Sequence, residues 1–245
     1  MYSHICDKAR RCCFSVSKKI RNIGTPTFDV LLRLYDAYVV PVLNYGANIW
    51  CKIHPIDCVE SVQLRYLKFA LGVKNSTSTL AVYGETGRFP TYLCHQASLI
   101  KYWCRLVLLD DSLLVKKAYN VLCKLANSGF KCWATKVKDL LESHEFMQYW
   151  CCENMDLSYK TLPEIFKKAV FDRYCIEWKQ NIGHYPILRT YAMYKDSLFV
   201  ESYLNSVRNF DVRKCLTKFR LSSHNLHIET GRHVYPKVPV EKRIC

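Results

Sequence analysis

Residues 4–23, HICDKARRCCFSVSKKIRNI, carry the clearest structural pattern in this chain. Apolar residues recur every three or four positions, and this spacing places them along one stripe of an α-helix. The residues on the stripe are Ile5, Ala9, Cys12, Cys13, Val16, Ile20 and Ile23. The basic residues on the opposite side are Arg10, Arg11, Lys18 and Arg21. The pattern therefore predicts an amphipathic helix that packs its apolar stripe against other helices.

The end of this helix and the start of the next are marked by three residues. Gly24 stands where a left-handed residue often ends a helix, and Thr25-Pro26 supplies an N-cap and a first-turn proline. The apolar positions of the second helix are Leu31, Leu34, Tyr35, Tyr38 and Val42. Pro41 lies inside that pattern, where it removes one hydrogen bond and presses on the carbonyl of Ala37. We expect a kink or a break in the helix there.

Helical periodicity continues through most of the remaining chain. A third helix follows His54-Pro55 and ends at 71–73, and the capping-box spacing of Thr161 and Glu164 opens a later helix that runs to about residue 180. The other helices are expected at 91–109, 112–127, 131–142, 196–204 and 208–219, with a turn-rich break at 84–90 and an extended tail from 233. Strand patterns are few. The predicted fold class is therefore all-α, an irregular helical bundle with an extended basic C-terminal tail.

The chain of 245 residues is long enough to bury a substantial core. Polar connectors and the weakening of the helical pattern divide it into consecutive regions. We expect a helical region over 1–75, a helical connection region over 76–204 and a basic segment over 205–245.

The formal net charge of +15 is concentrated at the two ends of the chain. Residues 1–24 contain six Lys and Arg against one acidic residue, and residues 205–245 contain nine against three. The 180 residues between them contain 21 basic and 17 acidic residues. Two basic poles suggest local contacts with a polyanion. The arginine-rich side of helix 4–23 still has two interpretations, a solvated face and a surface that follows phosphates.

Fourteen cysteines are present without any Cys-x-x-Cys pair, and most lie among apolar residues at helical spacing. We expect them to be reduced, small hydrophobic residues of an intracellular protein in the cytoplasm or nucleus. Residues 1–4 run into charged residues, so no signal peptide is expected. The most apolar windows contain residues such as Asp36 and Lys101, so we expect no membrane segment and no membrane partner.

The residue types that carry catalysis or bind metals form no complete constellation. Asp110-Asp111 is an adjacent carboxylate pair, but polymerase palms hold such a pair on a hairpin beside a third Asp, whereas helical patterns flank this one. We expect it to cap a helix. His224 and His227 lack the other two ligands of a zinc site. Since the sequence also lacks a glycine-rich nucleotide loop, we expect no catalytic residue, no metal and no cofactor.

The tetrapeptide Glu-Thr-Gly-Arg occurs twice, at 85–88 and 229–232. We expect a shared turn in which the glycine has a positive φ and the Glu pairs with the Arg around it. A duplicated phosphate-binding element is the alternative.

Several stretches occur in an order that is typical of one protein family. They are PVLNYGANIW at 41–50, the helix pattern of 59–73, VYGETGRFP at 82–90, YWCRL at 102–106, and KFRL at 218–221 with IETGR at 228–232. Together they resemble the region after the polymerase palm in reverse transcriptases of LINE-type (non-LTR) retrotransposons. The resemblance covers nearly the whole chain, although Asn48 stands where many relatives carry Glu.

The resemblance implies a helical thumb over 1–75, which in that family grips a template–primer duplex through its phosphates and minor groove. It also implies that 205–245 leads into a zinc knuckle opening with Arg-x-Cys, as in Arg243-Ile244-Cys245. The aromatic-x-Asp-Asp motif of the palm is absent from this sequence, and so is an endonuclease domain. We therefore expect a fragment of a retrotransposon-encoded RNA-directed DNA polymerase that is not itself an enzyme and has the rest of the reverse transcriptase as a partner.

The leading hypothesis is a chain that binds RNA or DNA, as a duplex or a single strand, weakly and with little sequence preference. Its candidate binding residues are Arg10, Arg11, Lys18, Arg21, Lys218, Arg220, Arg232, Lys242 and Arg243. The alternative is a helical protein-interaction module with no nucleic-acid role, which would use exposed aromatic residues and cysteine-rich stripes. An enzyme with an unrecognised site is a third hypothesis.

Overall fold

The structure is a computed structural model, and it describes residues 2–24, 26–51, 57–151, 156–226 and 239. The helices are α1 (Tyr2–Ile23), α2 (Phe28–Tyr38), α3 (Val40–Leu43), α4 (Ala47–Trp50), α5 (Asp57–Leu71), α6 (Thr79–Thr86), α7 (Thr91–Val107), α8 (Leu114–Asn127), α9 (Trp133–Ser143), α10 (Gln148–Cys151), α11 (Asp156–His184), α12 (Arg189–Tyr194), α13 (Tyr203–Ser206) and α14 (Phe210–Arg220).

The predicted all-α fold class is confirmed. Within the described residues the β-type pairing is an isolated antiparallel bridge between Thr86 and Val200, and no strand forms. None of the described helices combines the length and the apolar character that crossing a membrane requires. The extended tail expected from residue 233 lies outside the described residues, apart from Pro239.

The chain forms two compact units, and each is assembled from three separated segments. The first unit comprises Met1–Ala9, Val40–Ser61 and Phe89–Cys175. The second unit comprises Arg10–Val39, Val62–Arg88 and Ile176–Cys245. These units do not coincide with the consecutive regions expected from the connectors. A connector marks where a helix ends, whereas the units depend on which helices pack together.

The core of the first unit surrounds α7, which packs against α4, α8 and α9. The buried residues of this core are Cys51, Leu93, Leu99, Ile100, Trp103, Cys104, Val137, Leu140, Leu141, Tyr159, Leu162, Phe166 and Val170. The indole N–H of Trp103 donates a hydrogen bond to the hydroxyl of Tyr119 at 2.8 Å, and its ring stacks on that of Trp150. Large aromatic side chains therefore provide much of the buried area that stabilises this unit.

The PVLNYGANIW stretch, which includes α4, contacts α7 within the first unit. Gly46 adopts a φ of +65° directly before α4, and the indole N–H of Trp50 donates to the carbonyl of Tyr45 at 2.7 Å. Oδ1 of Asn44 lies 3.0 Å from Nε2 of His95, which is buried in α7. Burial lowers the pKa of His95 to about 4, so this histidine is neutral at pH 7. The residues that carry the family resemblance thus act here as packing and hydrogen-bonding anchors.

In the second unit, α2 and α5 are held together by tyrosines. The hydroxyl of Tyr66 on α5 donates to the carbonyl of Leu31 on α2 at 2.7 Å. Its ring lies 4.8 Å from the ring of Tyr35, whose hydroxyl donates to Gln63 at 3.4 Å. These bonds satisfy polar groups that would otherwise be costly to bury.

Two of the predicted boundaries near the start of the chain are confirmed, whereas the start of the second helix at Thr25-Pro26 is wrong, because α2 begins at Phe28 with Thr27 as its N-cap residue. α1 ends directly before Gly24, which has a φ of +112°. The break expected near Pro41 is also present: α2 ends at Tyr38 and α3 starts at Val40. Pro41 thus occupies the first turn of a new helix, where its missing N–H removes no helical hydrogen bond.

The turn expected at 84–90 begins later than predicted. α6 continues through Gly84 to Thr86, and Gly87 then ends the helix with a φ of +62°. A Cβ at Gly84 would lie 2.4 Å from a ring atom of Trp178 and 2.5 Å from the hydroxyl of Tyr191. Gly84 is therefore present for close packing of side chains against the helix and not for a turn.

The helix expected to open at Thr161 begins earlier, at Asp156, so that Pro163 lies inside α11. Tyr159, which lies in this earlier part, is buried in the core of the first unit together with Leu162. Tertiary packing therefore extends the helix beyond its local capping signal.

The prediction of a helix over 196–204 is wrong. α12 ends at Tyr194, and an irregular segment leads from there to α13. The ammonium group of the buried Lys195 donates to the carbonyl of Phe199 at 2.8 Å and pairs with the carboxylate of Glu201. These bonds hold the segment in a non-helical loop. The helix predicted over 208–219 is confirmed as α14.

Candidate nucleic-acid interface

α1 is amphipathic in the structure, as predicted, with one buried and one exposed face. Its buried residues are Ile5, Cys6, Ala9, Val16 and Ile20. Arg10, Arg11 and Lys18 are exposed, as predicted from their helical positions. Arg21 also lies in α1, but its side chain is outside the described part of the structure.

A groove of about 560 Å³ lies between α1 and α5 within the second unit. The residues that line it are Arg10, Arg11, Cys13, Phe14, Ser15 and Ser17 from α1, and Val62, Arg65, Tyr66 and Phe69 from α5. Three arginines and no acidic residue occur in this described lining. We refer to it as the α1–α5 groove.

Two ionisable side chains in the lining carry no charge at neutral pH. Burial raises the pKa of the Cys13 thiol to about 12, an effect that the charge of Arg65 only partly opposes. Burial also raises the pKa of Tyr66, whose hydroxyl is bonded to the α2 backbone. The charge of the groove is therefore set by its arginines.

Aromatic side chains accompany the arginines in the groove. Phe14 is exposed to 69%, so its ring is accessible to a binding partner. Phe69 lines the other wall, with its ring 6.1 Å from the ring of Tyr66. An exposed ring beside guanidinium groups can stack on a planar partner while the charges hold an anion.

The sequence did not single out Arg65, Phe14 or Phe69 as binding residues. Arg65 and Phe69 are four residues apart on α5, so they share one side of that helix. This spacing was visible in the sequence. Which helix lies beside α5 was not, and only the packing of α1 against it brings Arg65 close to Arg10 and Arg11.

The other predicted basic residues lie elsewhere. Lys218 is half-buried in the last turn of α14 and does not line the groove. Lys18 is exposed but does not line it either. Arg232, Lys242 and Arg243 lie outside the described residues.

Arg220 is engaged in a buried polar cluster of the second unit. Its Nε donates to Glu85 at 2.6 Å, and its terminal nitrogen lies 2.8 Å from a carboxylate oxygen of Glu201. The guanidinium carbon lies 4.5 Å from the ring centroid of Tyr194 and 5.1 Å from that of Tyr203. Burial acts to lower the pKa of Arg220, but the hydrogen bond and charge of Glu85 outweigh it and the pKa is raised. Arg220 is therefore held in contacts that stabilise the fold, and it does not line the α1–α5 groove.

For the Glu-Thr-Gly-Arg turn at 85–88, the predicted backbone conformation is confirmed, but the predicted ion pair between the Glu and the Arg is wrong. Gly87 has the expected positive φ. Glu85, however, points to Arg220, while Arg88 forms a bidentate pair with Asp36 at 2.7 and 2.6 Å. The copy at 229–232 lies outside the described residues.

Asp110 and His224 have local structural roles. The carboxylate of Asp110 accepts a hydrogen bond from the backbone N–H of Ser112 at 2.8 Å, and hydrogen bonds from Ser112 lower its pKa. It thus forms a turn before α8 and is not the N-cap residue that we predicted.

His224 stacks on Phe219, and His227 lies outside the described residues. Among the described residues, no three His, Cys, Asp or Glu side chains are grouped so that they could hold a metal ion.

An apolar groove of about 610 Å³ lies within the first unit, beside the PVLNYGANIW stretch. Tyr45 and Ile49 at its rim are exposed to 79% and 58%. His4 and Lys8 are the basic residues of its described lining. Its apolar character does not suit a polyanion, so it is not part of the candidate interface.

Comparisons of this chain with protein-family models, with curated protein sequences and with solved structures found no match.

Proposed function

We propose that the α1–α5 groove binds nucleic acid weakly and with little sequence preference, and that the chain has no polymerase activity of its own. The observation that carries this proposal is the placement of Arg10, Arg11 and Arg65 around one groove whose described lining contains no acidic residue. Guanidinium groups bind phosphate oxygens through paired, planar hydrogen bonds. Several of them along one groove suit a phosphodiester backbone, where the negative charges repeat along the strand.

The aromatic residues favour a single strand over a duplex in this groove. Stacking on Phe14 or Phe69 requires a base whose face is accessible, and the bases of a duplex are stacked on each other. Every base has such a face, so stacking adds affinity without reading the sequence. Phosphate contacts likewise position a strand without specifying it.

The phosphate contacts proposed here match those of the thumb in the LINE-type reverse transcriptases that this sequence resembles, whereas the preference for a single strand differs from that thumb's binding of a duplex. In that role the chain would hold template or primer, and the catalytic carboxylates would come from the rest of the reverse transcriptase polypeptide. The basic residues Lys18 and Lys218 would then extend the contact beyond the groove.

The test is a titration of labelled single-stranded and duplex DNA and RNA at several salt concentrations. The variant to compare with the wild-type chain is Arg10→Ala, Arg11→Ala, Arg65→Ala. If all three arginines contact phosphates, the slope of log affinity against log salt should flatten by about two units for a single strand and between two and three for a duplex.

A charge-matched control removes three exposed basic residues of α7 and α8, Lys101, Arg105 and Lys117, by substitution with alanine. This control should change the slope by less than one unit, because it lowers the net charge equally without touching the groove. Circular dichroism must first show that both variants keep the helical content of the wild type. Equal slopes for all three proteins would contradict the proposal and favour the protein-interaction hypothesis. Equal competition by polyglutamate would identify a general polyanion site.

A further inference from the structure

The sulfur atoms of two cysteines that are far apart in sequence are in contact within the first unit. Sγ of Cys6 on α1 lies 3.2 Å from Sγ of Cys58 on α5. At this distance one thiol can donate a weak hydrogen bond to the other. A disulfide bond is about 2 Å long, so the two sulfur atoms need to approach by only about 1 Å to form one.

The two thiols differ in their exposure to solvent. Cys6 is completely buried, whereas Cys58 is partly exposed near the start of α5. A small oxidant can therefore reach Cys58 first, and Cys6 is then already in place to attack the oxidised sulfur. This is the arrangement of an oxidisable cysteine beside a resolving cysteine.

We propose that Cys6 and Cys58 are a site of reversible oxidation, at which a peroxide converts the two thiols into a disulfide that joins α1 to α5. In the first step the Cys58 thiolate attacks one peroxide oxygen, the O–O bond breaks, and Cys58 becomes a sulfenic acid as one water leaves. In the second step the Cys6 thiolate attacks the Cys58 sulfur, the S–S bond forms, and the S–O bond breaks to release a second water. Two thiols lose two electrons and two protons in total, and hydrogen peroxide is reduced to two waters. A thiol reductant reverses the change by exchange.

The disulfide restricts the unfolded chain more than the folded chain. It would close a loop between residues that are 52 positions apart. Closing a loop of this length removes conformational entropy from the unfolded state, while the folded state already holds the two sulfur atoms in contact. The oxidised chain should therefore unfold at a temperature higher by roughly 5 °C or more.

The direct test is peptide mapping of the full chain after treatment with hydrogen peroxide, with blocking of remaining thiols and digestion by trypsin without reductant. Trypsin releases Cys6 in peptide 1–8 and Cys58 in peptide 53–65, and each of these peptides contains a single cysteine. A linked 1–8/53–65 pair should appear at low peroxide and disappear after dithiothreitol. The melting temperature should rise with the linked fraction.

Cys58→Ser removes the more accessible thiol and should abolish both the linked peptide and the rise in melting temperature. Cys94→Ser is the matched control, since Cys94 is an exposed cysteine on α7, and it should leave both unchanged. If Cys6→Ser does not fold, the wild type, Cys58→Ser and Cys94→Ser still decide the outcome. Recovery of 1–8 and 53–65 unlinked at peroxide levels that already oxidise Cys94 would overturn the proposal. So would linkage of Cys58 to any cysteine other than Cys6.

Discussion

Arg220 and Glu85 lie 135 positions apart in the sequence, yet the Nε of the guanidinium is 2.6 Å from the Oε1 of the carboxylate. Glu85 is completely buried, and the Arg220 side chain is 20% exposed. The same carboxylate oxygen accepts a hydrogen bond from the hydroxyl of Tyr203 at 2.6 Å. This pair joins the end of α6 to the end of α14 within the second unit. Because the carboxylate is fully removed from water, its charge depends on Arg220 for compensation.

The substitution Glu85→Gln should therefore destabilise the protein strongly. It keeps the shape of the side chain and an acceptor for Tyr203, but it leaves the buried side of Arg220 without a full negative charge. We expect the free energy of unfolding to fall by about 2–4 kcal/mol, measured by urea denaturation. Asp36→Asn breaks the more exposed pair with Arg88 and should reduce it by less than about 1 kcal/mol. Equal effects of the two substitutions would show that burial does not control the strength of the Glu85 pair.

The substitution Gly84→Ala should also be destabilising, because its Cβ would overlap with Trp178 and Tyr191. Overpacking of this kind reduces the free energy of unfolding by about 1–3 kcal/mol. Gly183→Ala is the control: this glycine is also helical, and nothing lies within 4 Å of its added Cβ. It should be neutral or stabilise the protein by up to about 1 kcal/mol. Thermal unfolding of both variants distinguishes a packing requirement from a general effect of helix propensity.

The buried His95 should make stability depend on pH. Its pKa falls from 6.5 to about 4 in the folded protein, because burial disfavours the charged ring. The unfolded chain therefore binds more protons between these values. The stabilising contribution is complete above pH 6.5 and is lost as the pH falls towards 4, by about 2–3 kcal/mol.

Urea denaturation of the wild type and of His95→Gln, measured at pH 7 and pH 4.5, tests this expectation. The other titratable groups are the same in both proteins. The difference between their losses of unfolding free energy on acidification therefore reports the contribution of His95. The wild type should lose more stability than the variant on acidification. Parallel losses would mean that His95 is not buried in its neutral form.

Phe14→Ala should lower the affinity for a single strand without changing its salt dependence. Stacking of one base on an aromatic ring contributes about 1–3 kcal/mol, so the affinity should fall at least fivefold while the phosphate contacts remain. Phe130→Ala is the control, since Phe130 is exposed to a similar extent, 63% against 69%, and does not line the groove. Fluorescence anisotropy with a labelled oligonucleotide measures both. A flattened salt slope for Phe14→Ala would indicate that the substitution disturbs the arginines and not a stacking contact.

Primer extension on an RNA template should yield no product with magnesium or manganese. The two-metal mechanism needs several carboxylates held around the ions. The carboxylate of Asp110 is instead bonded to the backbone of its own turn. Template-dependent extension that disappears in Asp111→Ala would contradict the proposal that the chain has no polymerase activity.

The sequence determined those features of the fold that depend on neighbouring residues. The apolar stripe of α1, the end of that helix at Gly24 and the break before Pro41 all follow from interactions that span one or two helical turns. The exposed positions of Arg10 and Arg11 follow for the same reason, because helical periodicity places them opposite the buried stripe.

The tertiary structure decided everything that depends on which helices pack together. It placed Arg65 and Phe14 in one groove, paired Arg220 with Glu85, and required glycine at position 84. It also extended α11 past its capping signal, since buried side chains outweigh a local preference worth about 1 kcal/mol. Local propensities act over a few residues, whereas these contacts join segments that are tens to more than a hundred residues apart, and no periodicity in the chain specifies such a pairing.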